Sequence, residues 1–202
     1  MKLYDSKLAP NPRKVRIFLA EKGVSLPIVP VDIGAAENRQ PAFLAKNPLG
    51  GLPVLELDDG RFLAESTAIC RYFEGTHPNP PLLGVDATDR AWVEMWNRRM
   101  ELEVFSQIAG CFRHTHSFFK GRIEQVPEFG EVCRRVATQR LAWLDGELAG
   151  RPFIAGDRFT MADITALVGI DFGGATGIGI VPEQKNLSRW HESVSARPSA
   201  SA

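Results

Sequence analysis

The sequence predicts an N-terminal α/β domain followed by an all-helical domain, and three observations support this division. Short apolar segments alternate with helical patterns over roughly the first eighty residues. The segment 77–81, HPNPP, then supplies prolines that stop a helix and stiffen a linker. Beyond it, apolar residues recur at helical spacing, so no further strand is predicted.

The composition fits a globular protein and argues against several partner classes. A chain of 202 residues, 44% of them hydrophobic, is long enough for one large or two small domains with a buried core. Its 24 basic and 24 acidic residues balance, which argues against nucleic acid or an anionic membrane as the main partner. No run reaches the roughly 18 apolar residues of a membrane helix, and MKLYDSKLAP is too polar for a secretory signal.

The cysteines indicate a reducing compartment. Cys70, Cys111 and Cys133 are odd in number and far apart in the sequence. They match neither a CxxC pair nor a zinc spacing, so no metal site is predicted. We interpret them as buried, reduced thiols of a cytoplasmic protein.

Each element of the first domain has a local cause. Lys2–Asp5 reads as a short strand, and Pro12 suits the first turn of the helix that follows. Pro30 lies inside the second predicted strand, 26–33, and places it at a sheet edge because proline cannot donate to a ladder. Asp58–Gly60 is the turn of a later hairpin. Strand–helix–strand followed by hairpin–helix is the thioredoxin-like plan.

The second domain is predicted from its helical patterns. A long helix should run from Asp86 into the region of Cys111, with Gly110 as a point where it could bend. Thr160 and Asp163 form a variant of the capping box, and the helix they open is apolar on nearly every side. Two further helices are predicted at 133–148 and 187–196.

The stretch 47–66, NPLGGLPVLELDDGRFLAES, is the strongest candidate for a binding site. If the bond before Pro53 is cis, Val54 would turn its N–H and C=O outward, where an extended peptide could pair with them. The helix opening at Glu65 and Ser66 offers a capping serine and N–H groups that favour an anion. The plain alternative is a hairpin and a capped helix without a ligand.

Four motifs, in order along nearly the whole chain, resemble the cytosolic glutathione transferases. They are YDSKLAPNPRKVRIFLAEKG, the stretch 47–66, GDRFTMADI and RWHESVSARPS. The segment MWNRRMELEVFSQIAGCFRHTHSFF is similar to the bacterial and fungal Gtt2-like subgroup, and APNPRKV resembles the first loop of the bacterial Nu class. The resemblance implies a thioredoxin-like domain over 1–78, a linker over 79–85 and a helical domain over 86–202.

The resemblance implies a role for several residues in holding glutathione. Val54, with Leu52 and Pro53, should pair main-chain groups with its cysteinyl part. Glu65 should accept from the γ-glutamyl ammonium, and Ser66 should hold the γ-glutamyl carboxylate. Lys46 could hold the glycyl carboxylate, although a solvated surface lysine is an equally good interpretation.

The residue that activates the thiol is left open, because the usual serine position falls on Ala9. Asn11 is the first candidate donor and Ser6 the second, although the Ser6 hydroxyl could instead bond its own loop. The N–H groups that open the helix after Pro12 also remain. Tyr4 is a weaker candidate because strand alternation favours packing it.

The resemblance also implies an apolar electrophile site between the domains. Its expected lining is Trp96, Met100, Phe105, Phe112 and His114. The four apolar side chains are of kinds that are more often core than pocket, and His114 could be an exposed histidine at a helix end. His116, Arg113 and Ser117 are further polar candidates, and a joint role for the two histidines would need a loop between them.

Three functions remain open at this point. The first is transfer of glutathione to small apolar electrophiles by a homodimer. The second is reduction of disulfides or peroxides with glutathione. The third is binding without catalysis, which Ala9 permits.

Overall fold

In the computed structural model, which describes residues 1–202, the chain forms two compact units. The first comprises Met1–Pro81 with Ser201–Ala202, and the second comprises Leu82–Ala200. The linker expected over 79–85 stays a prediction. No helix in either unit combines the length and the apolar character that crossing a membrane requires.

The first unit is built on a four-stranded mixed sheet. Its strands are β1 Lys2–Asp5, β2 Ile28–Pro30, β3 Val54–Glu56 and β4 Phe62–Ala64, in the spatial order β2-β1-β3-β4. The pair β1–β2 is parallel, and β3 is antiparallel to both β1 and β4. The second strand is shorter than predicted but lies at the sheet edge, as Pro30 requires.

Three helices complete this thioredoxin-like unit. They are α1 Pro10–Glu21, α2 Pro41–Leu44 and α3 Ser66–Thr76. Helix α3 packs against α1 and against the hairpin strands β3 and β4. On one sheet face, Tyr4 and Val54 pack with Phe43 of α2 in a small buried cluster. Leu3 and Leu55 alternate with these residues along their strands and are fully buried.

The second unit is entirely helical. Its helices are α4 Ala87–Arg99, α5 Ser106–Thr115, α6 Pro127–Glu147, α7 Met161–Gly173 and α8 Lys185–Ser195. A π-helical segment, Met100–Phe105, joins α4 to α5 within one continuous helix, and Ser106 Oγ donates to the Glu101 carbonyl at 2.8 Å. The irregularity therefore precedes the predicted bend at Gly110. That glycine instead allows close packing, since a Cβ there would lie 2.8 Å from Cys133 Sγ.

The predicted capping box and central helix are confirmed. Asp163 accepts hydrogen bonds from the Thr160 N–H at 2.9 Å and from its hydroxyl at 3.1 Å. Residues 161–170 of α7 are all buried, so this helix is the centre of the second unit.

Candidate active site

The loop between β1 and α1 places the two residues predicted to activate a thiol near the start of one helix. Ser6 follows β1 and is 9% exposed, while Asn11 is the half-buried second residue of α1. Ala9 occupies the N-cap position, where it supplies no side-chain cap, and its N–H donates to the Ser6 carbonyl at 2.9 Å. This hydrogen bond closes a tight turn from Ser6 to Ala9.

Prolines leave α1 with few N–H groups at its start. Of its first three residues, Pro10 and Pro12 have no N–H, so only Asn11 carries one. The next N–H, that of Arg13, donates to the Ala9 carbonyl at 3.4 Å. The expectation of several donors after Pro12 is therefore replaced by a single first-turn N–H, that of Asn11.

An ion pair that the sequence did not reveal holds this loop. Arg16 Nη1 lies 2.7 Å from both carboxylate oxygens of Asp5, and Arg16 Nη2 donates to the Lys7 carbonyl at 3.1 Å. Asp5 is only 3% exposed, so removing Arg16 would leave a buried acidic side chain without its partner. The two residues lie on a strand and a helix, and no local motif relates them.

The peptide bond between Leu52 and Pro53 is cis, as the site hypothesis required. Val54 begins β3 and lies opposite Tyr4 on one side and Ala64 on the other, with no exposed surface. Because strands flank Val54 on both sides, it offers no open edge to a peptide. Leu52 precedes the strand and is half-buried, so its main chain is the better candidate for this contact.

The start of α3 differs from the prediction in one respect. Ser66 is the first helical residue and is buried, whereas Glu65 holds the N-cap position. The exposed Glu65 has φ 68° and makes no side-chain cap. Its carbonyl accepts from the Ile69 N–H at 3.0 Å, which leaves the N–H groups before Ile69 without helical acceptors. Ser66 therefore lies beside free donors but does not cap the helix.

Lys46 and Tyr4 are both engaged on the sheet. Lys46 Nζ donates to the Ala42 carbonyl at 3.2 Å and lies 5.6 Å and 5.3 Å from the ring centres of Tyr4 and Phe62. The Tyr4 hydroxyl donates to Glu56 at 2.7 Å. Burial, followed by the bond to Glu56, raises the pKa of Tyr4. Tyr4 is thus a packed residue, as strand alternation suggested.

The candidate electrophile-site residues differ in accessibility within the helical unit. Trp96, Met100 and Phe105 are 2%, 0% and 6% exposed, which is typical of core residues. Phe112 is half-buried, and its ring lies 4.8 Å from that of Phe172. Phe112 is therefore the more accessible aromatic candidate of this set.

The two histidines are bound to main-chain groups. His114 Nδ1 accepts from the Val126 N–H and His116 Nδ1 from the Phe118 N–H, each at 3.1 Å. His114 lies within α5, which ends at Thr115, and His116 follows that end. Because Nδ1 is an acceptor in both rings, the neutral form carries its proton on Nε2. Only Nε2 remains for other chemistry.

The chain's own thiols are poorly suited to nucleophilic chemistry. Cys70, Cys111 and Cys133 are all buried and free. Burial raises the pKa of Cys70 to about 12 and also raises the pKa of Cys133. None of the three lies in the loop between β1 and α1, so none supplies a thiolate there. No three His, Cys, Asp or Glu side chains form a group suited to a metal ion.

Comparison with known families decides the identity of this arrangement. The model of the glutathione S-transferase N-terminal domain matches residues 3–81, and that of the C-terminal domain matches 101–198. Glutathione S-transferase 2 of Saccharomyces cerevisiae is 36% identical over 203 residues, covering 98% of this chain and 87% of that protein. The chain belongs to the glutathione S-transferase family.

Solved structures agree with this assignment and with the Gtt2-like subgroup. Gtt2 from S. cerevisiae is 36% identical with a TM-score of 0.95, and the match covers 100% of this chain and 99% of that one. A glutathione S-transferase domain-containing protein from Marinobacter aquaeolei is 40% identical with a TM-score of 0.94, and the match covers 98% of this chain and 99% of that one. A class Gtt2 glutathione S-transferase of Vibrio parahaemolyticus is 33% identical with a TM-score of 0.87, and the match covers 98% of this chain and 94% of that one.

Proposed function

We propose that this member of the glutathione S-transferase family adds the thiolate of glutathione to small apolar electrophiles. The observation that carries the proposal is the conformation of Glu65. A non-glycine residue at φ 68° is unfavourable, and such strain is concentrated at functional sites. The exposed Glu65 side chain caps nothing, and Ser66 begins α3 directly after it. This arrangement suits a ligand that carries both an ammonium and a carboxylate.

Glutathione would then be held by its two ends and its main chain. Glu65 accepts from the γ-glutamyl ammonium, while the Ser66 hydroxyl and the first N–H groups of α3 donate to the γ-glutamyl carboxylate. We assign the main-chain contact to Leu52 rather than to Val54, with Pro53 fixing the direction of the chain. Lys46 retains only a secondary role toward the glycyl carboxylate, because its ammonium already lies near two rings and donates to the Ala42 carbonyl.

Thiol activation is assigned first to Asn11 and second to Ser6. A free thiol has a pKa of about 8.5, and lowering it by two units takes about 2.7 kcal/mol. One or two hydrogen bonds to a charged sulfur, each worth about 1.5–3 kcal/mol, are sufficient. Asn11 can provide both a free N–H and a side-chain amide from the same residue. Ala9 can provide only its N–H, which Ser6 already accepts.

The electrophile is assigned to the helical domain. Phe112 and His114 are the accessible members of the proposed lining, while Trp96, Met100 and Phe105 support it from the core. We also propose a homodimer located in the cytoplasm, as is typical of the family. Light scattering tests the dimer, and a mass of one chain would contradict it.

The test is turnover of chlorodinitrobenzene by the purified protein with glutathione. The proposal predicts turnover that falls when Glu65 or Ser66 is replaced by alanine. Turnover of a small mixed disulfide without turnover of chlorodinitrobenzene would favour the reductase alternative, which the transferase names of the yeast and Vibrio proteins do not favour. If glutathione raises the melting temperature but neither compound reacts, the protein binds without catalysis.

A further inference from the structure

Three successive carbonyl groups before Leu52 are each held by a different side chain. Asn38 Nδ2 donates to the Gly50 carbonyl at 2.8 Å, and Asn47 Nδ2 donates to the Gly51 carbonyl at 2.9 Å. Arg39 Nη1 donates to the Leu49 carbonyl at 3.1 Å. We propose that these three donors, termed the carbonyl clamp, are positioning residues that orient the Leu52 main chain for glutathione. This inference rests on the proposed function.

The peptide plane explains how Asn47 can act at a distance. A trans peptide bond is planar, so its C=O and N–H point in opposite directions. The bond between Gly51 and Leu52 is not among the cis bonds of the chain. Holding the Gly51 carbonyl on Asn47 therefore directs the Leu52 N–H away from Asn47. A donor directed outward in this way is what an extended peptide needs for pairing.

Asn47 is itself fixed on both sides of its amide. Its Oδ1 accepts from the Leu49 N–H at 3.2 Å, and its main-chain carbonyl accepts from the Gly50 N–H at 2.8 Å. The side chain is also buried, with 6% exposure for the residue. Because one amide end meets an N–H and the other a carbonyl, only one orientation of the amide satisfies both partners. The donor aimed at Gly51 is therefore specified by the loop.

The glycine at position 50 lets the clamp approach the main chain. Gly50 has φ 64°, and a Cβ there would lie 2.8 Å from the Asn38 carbonyl and 3.1 Å from Arg39 Nη1. Any larger residue would push the clamp away and would also be strained. The loop thus combines a required glycine with side-chain donors from the preceding 3₁₀ helix Glu37–Arg39.

The experiment compares glutathione binding by the whole protein and by Asn47→Asp, using calorimetry. The introduced carboxylate keeps the acceptor for Leu49 but cannot donate to Gly51. We expect glutathione to bind roughly fivefold to tenfold more weakly, with the turnover number at saturating glutathione little changed. At a pH low enough to protonate the introduced carboxyl, that group can donate again. The difference in glutathione affinity between Asn47→Asp and the natural protein should then become smaller. A role limited to stability would lower the melting temperature without this pH-dependent change in affinity.

The matched control is Asn186→Asp in α8, where the side chain accepts from Arg189 and lies in the other unit. Its glutathione affinity should equal that of the natural protein. Equal affinity of the natural protein and Asn47→Asp would overturn the clamp while leaving the proposed function intact. No binding by the natural protein would overturn both. If Asn47→Asp does not fold, Asn38→Ala provides the test, because it removes the donor to the Gly50 carbonyl. Weaker glutathione binding by this variant supports the carbonyl clamp, and unchanged glutathione binding overturns it.

Discussion

Replacing Asp163 by alanine should destabilise the helical unit by about 4 kcal/mol. The carboxylate is fully buried and accepts from the Ile154 N–H at 2.8 Å, from Trp190 Nε1 at 2.9 Å and from both Thr160 donors. Alanine would leave three buried N–H groups without an acceptor, and each such group costs about 1–3 kcal/mol. The Thr160 N–H is the capping-box donor, so loss of the box is already included in this sum, and about 4 kcal/mol lies in the lower part of the range.

Urea unfolding followed by tryptophan fluorescence measures this change. The Asp163→Asn variant keeps the oxygen that faces Ile154 and Trp190 but turns an amide toward Thr160, so it should lose about 2 kcal/mol. The exposed Asp157, changed to asparagine, is the matched control and should shift stability by less than about 0.5 kcal/mol. A loss below about 1 kcal/mol for the alanine variant would refute the reasoning, because the buried donors would then have found other partners.

Three further predictions concern the first loop and the packing of α5. Asn11→Pro removes the only free first-turn N–H of α1. It should raise the pKa of the thiol of bound glutathione by about one unit or more. Asn11→Ala keeps that N–H and should raise it less, as measured by thiolate absorbance against pH. Gly110→Ala should cost about 1–3 kcal/mol by thermal unfolding, because its Cβ would meet Cys133 Sγ at 2.8 Å. Cys133→Ala in the same chain should recover most of that loss. Arg16→Leu should cost about 3 kcal/mol by leaving the buried Asp5 carboxylate unpaired, and a loss within error would contradict the buried pair.

The sequence predicted the features that depend on local chemistry. Pro30 predicted an edge strand, Asp58–Gly60 a hairpin turn, and Thr160 with Asp163 a capping box, because each depends on groups a few residues apart. The cis bond at Pro53 was a condition of the site hypothesis, because an X–Pro bond can adopt either isomer.

Features set by distant partners were not predicted. The bond between Arg16 and Asp5 joins a helix to a strand, and the packing of Gly110 on Cys133 joins two helices. The π-helical segment contains no proline or glycine from which an irregularity could be predicted. The resemblance assigned a main-chain contact to Val54. Its burial between two strands depends on sheet order, which the sequence spacing does not determine.

Calorimetric titration of glutathione into the natural protein and into Ser66→Ala tests the central claim most directly. We expect one glutathione bound per chain, with the Ser66→Ala variant binding about tenfold more weakly because a hydrogen bond to the γ-glutamyl carboxylate is lost. No heat of binding from folded protein, or equal affinity of the two proteins, would contradict the assignment of this ligand to the start of α3.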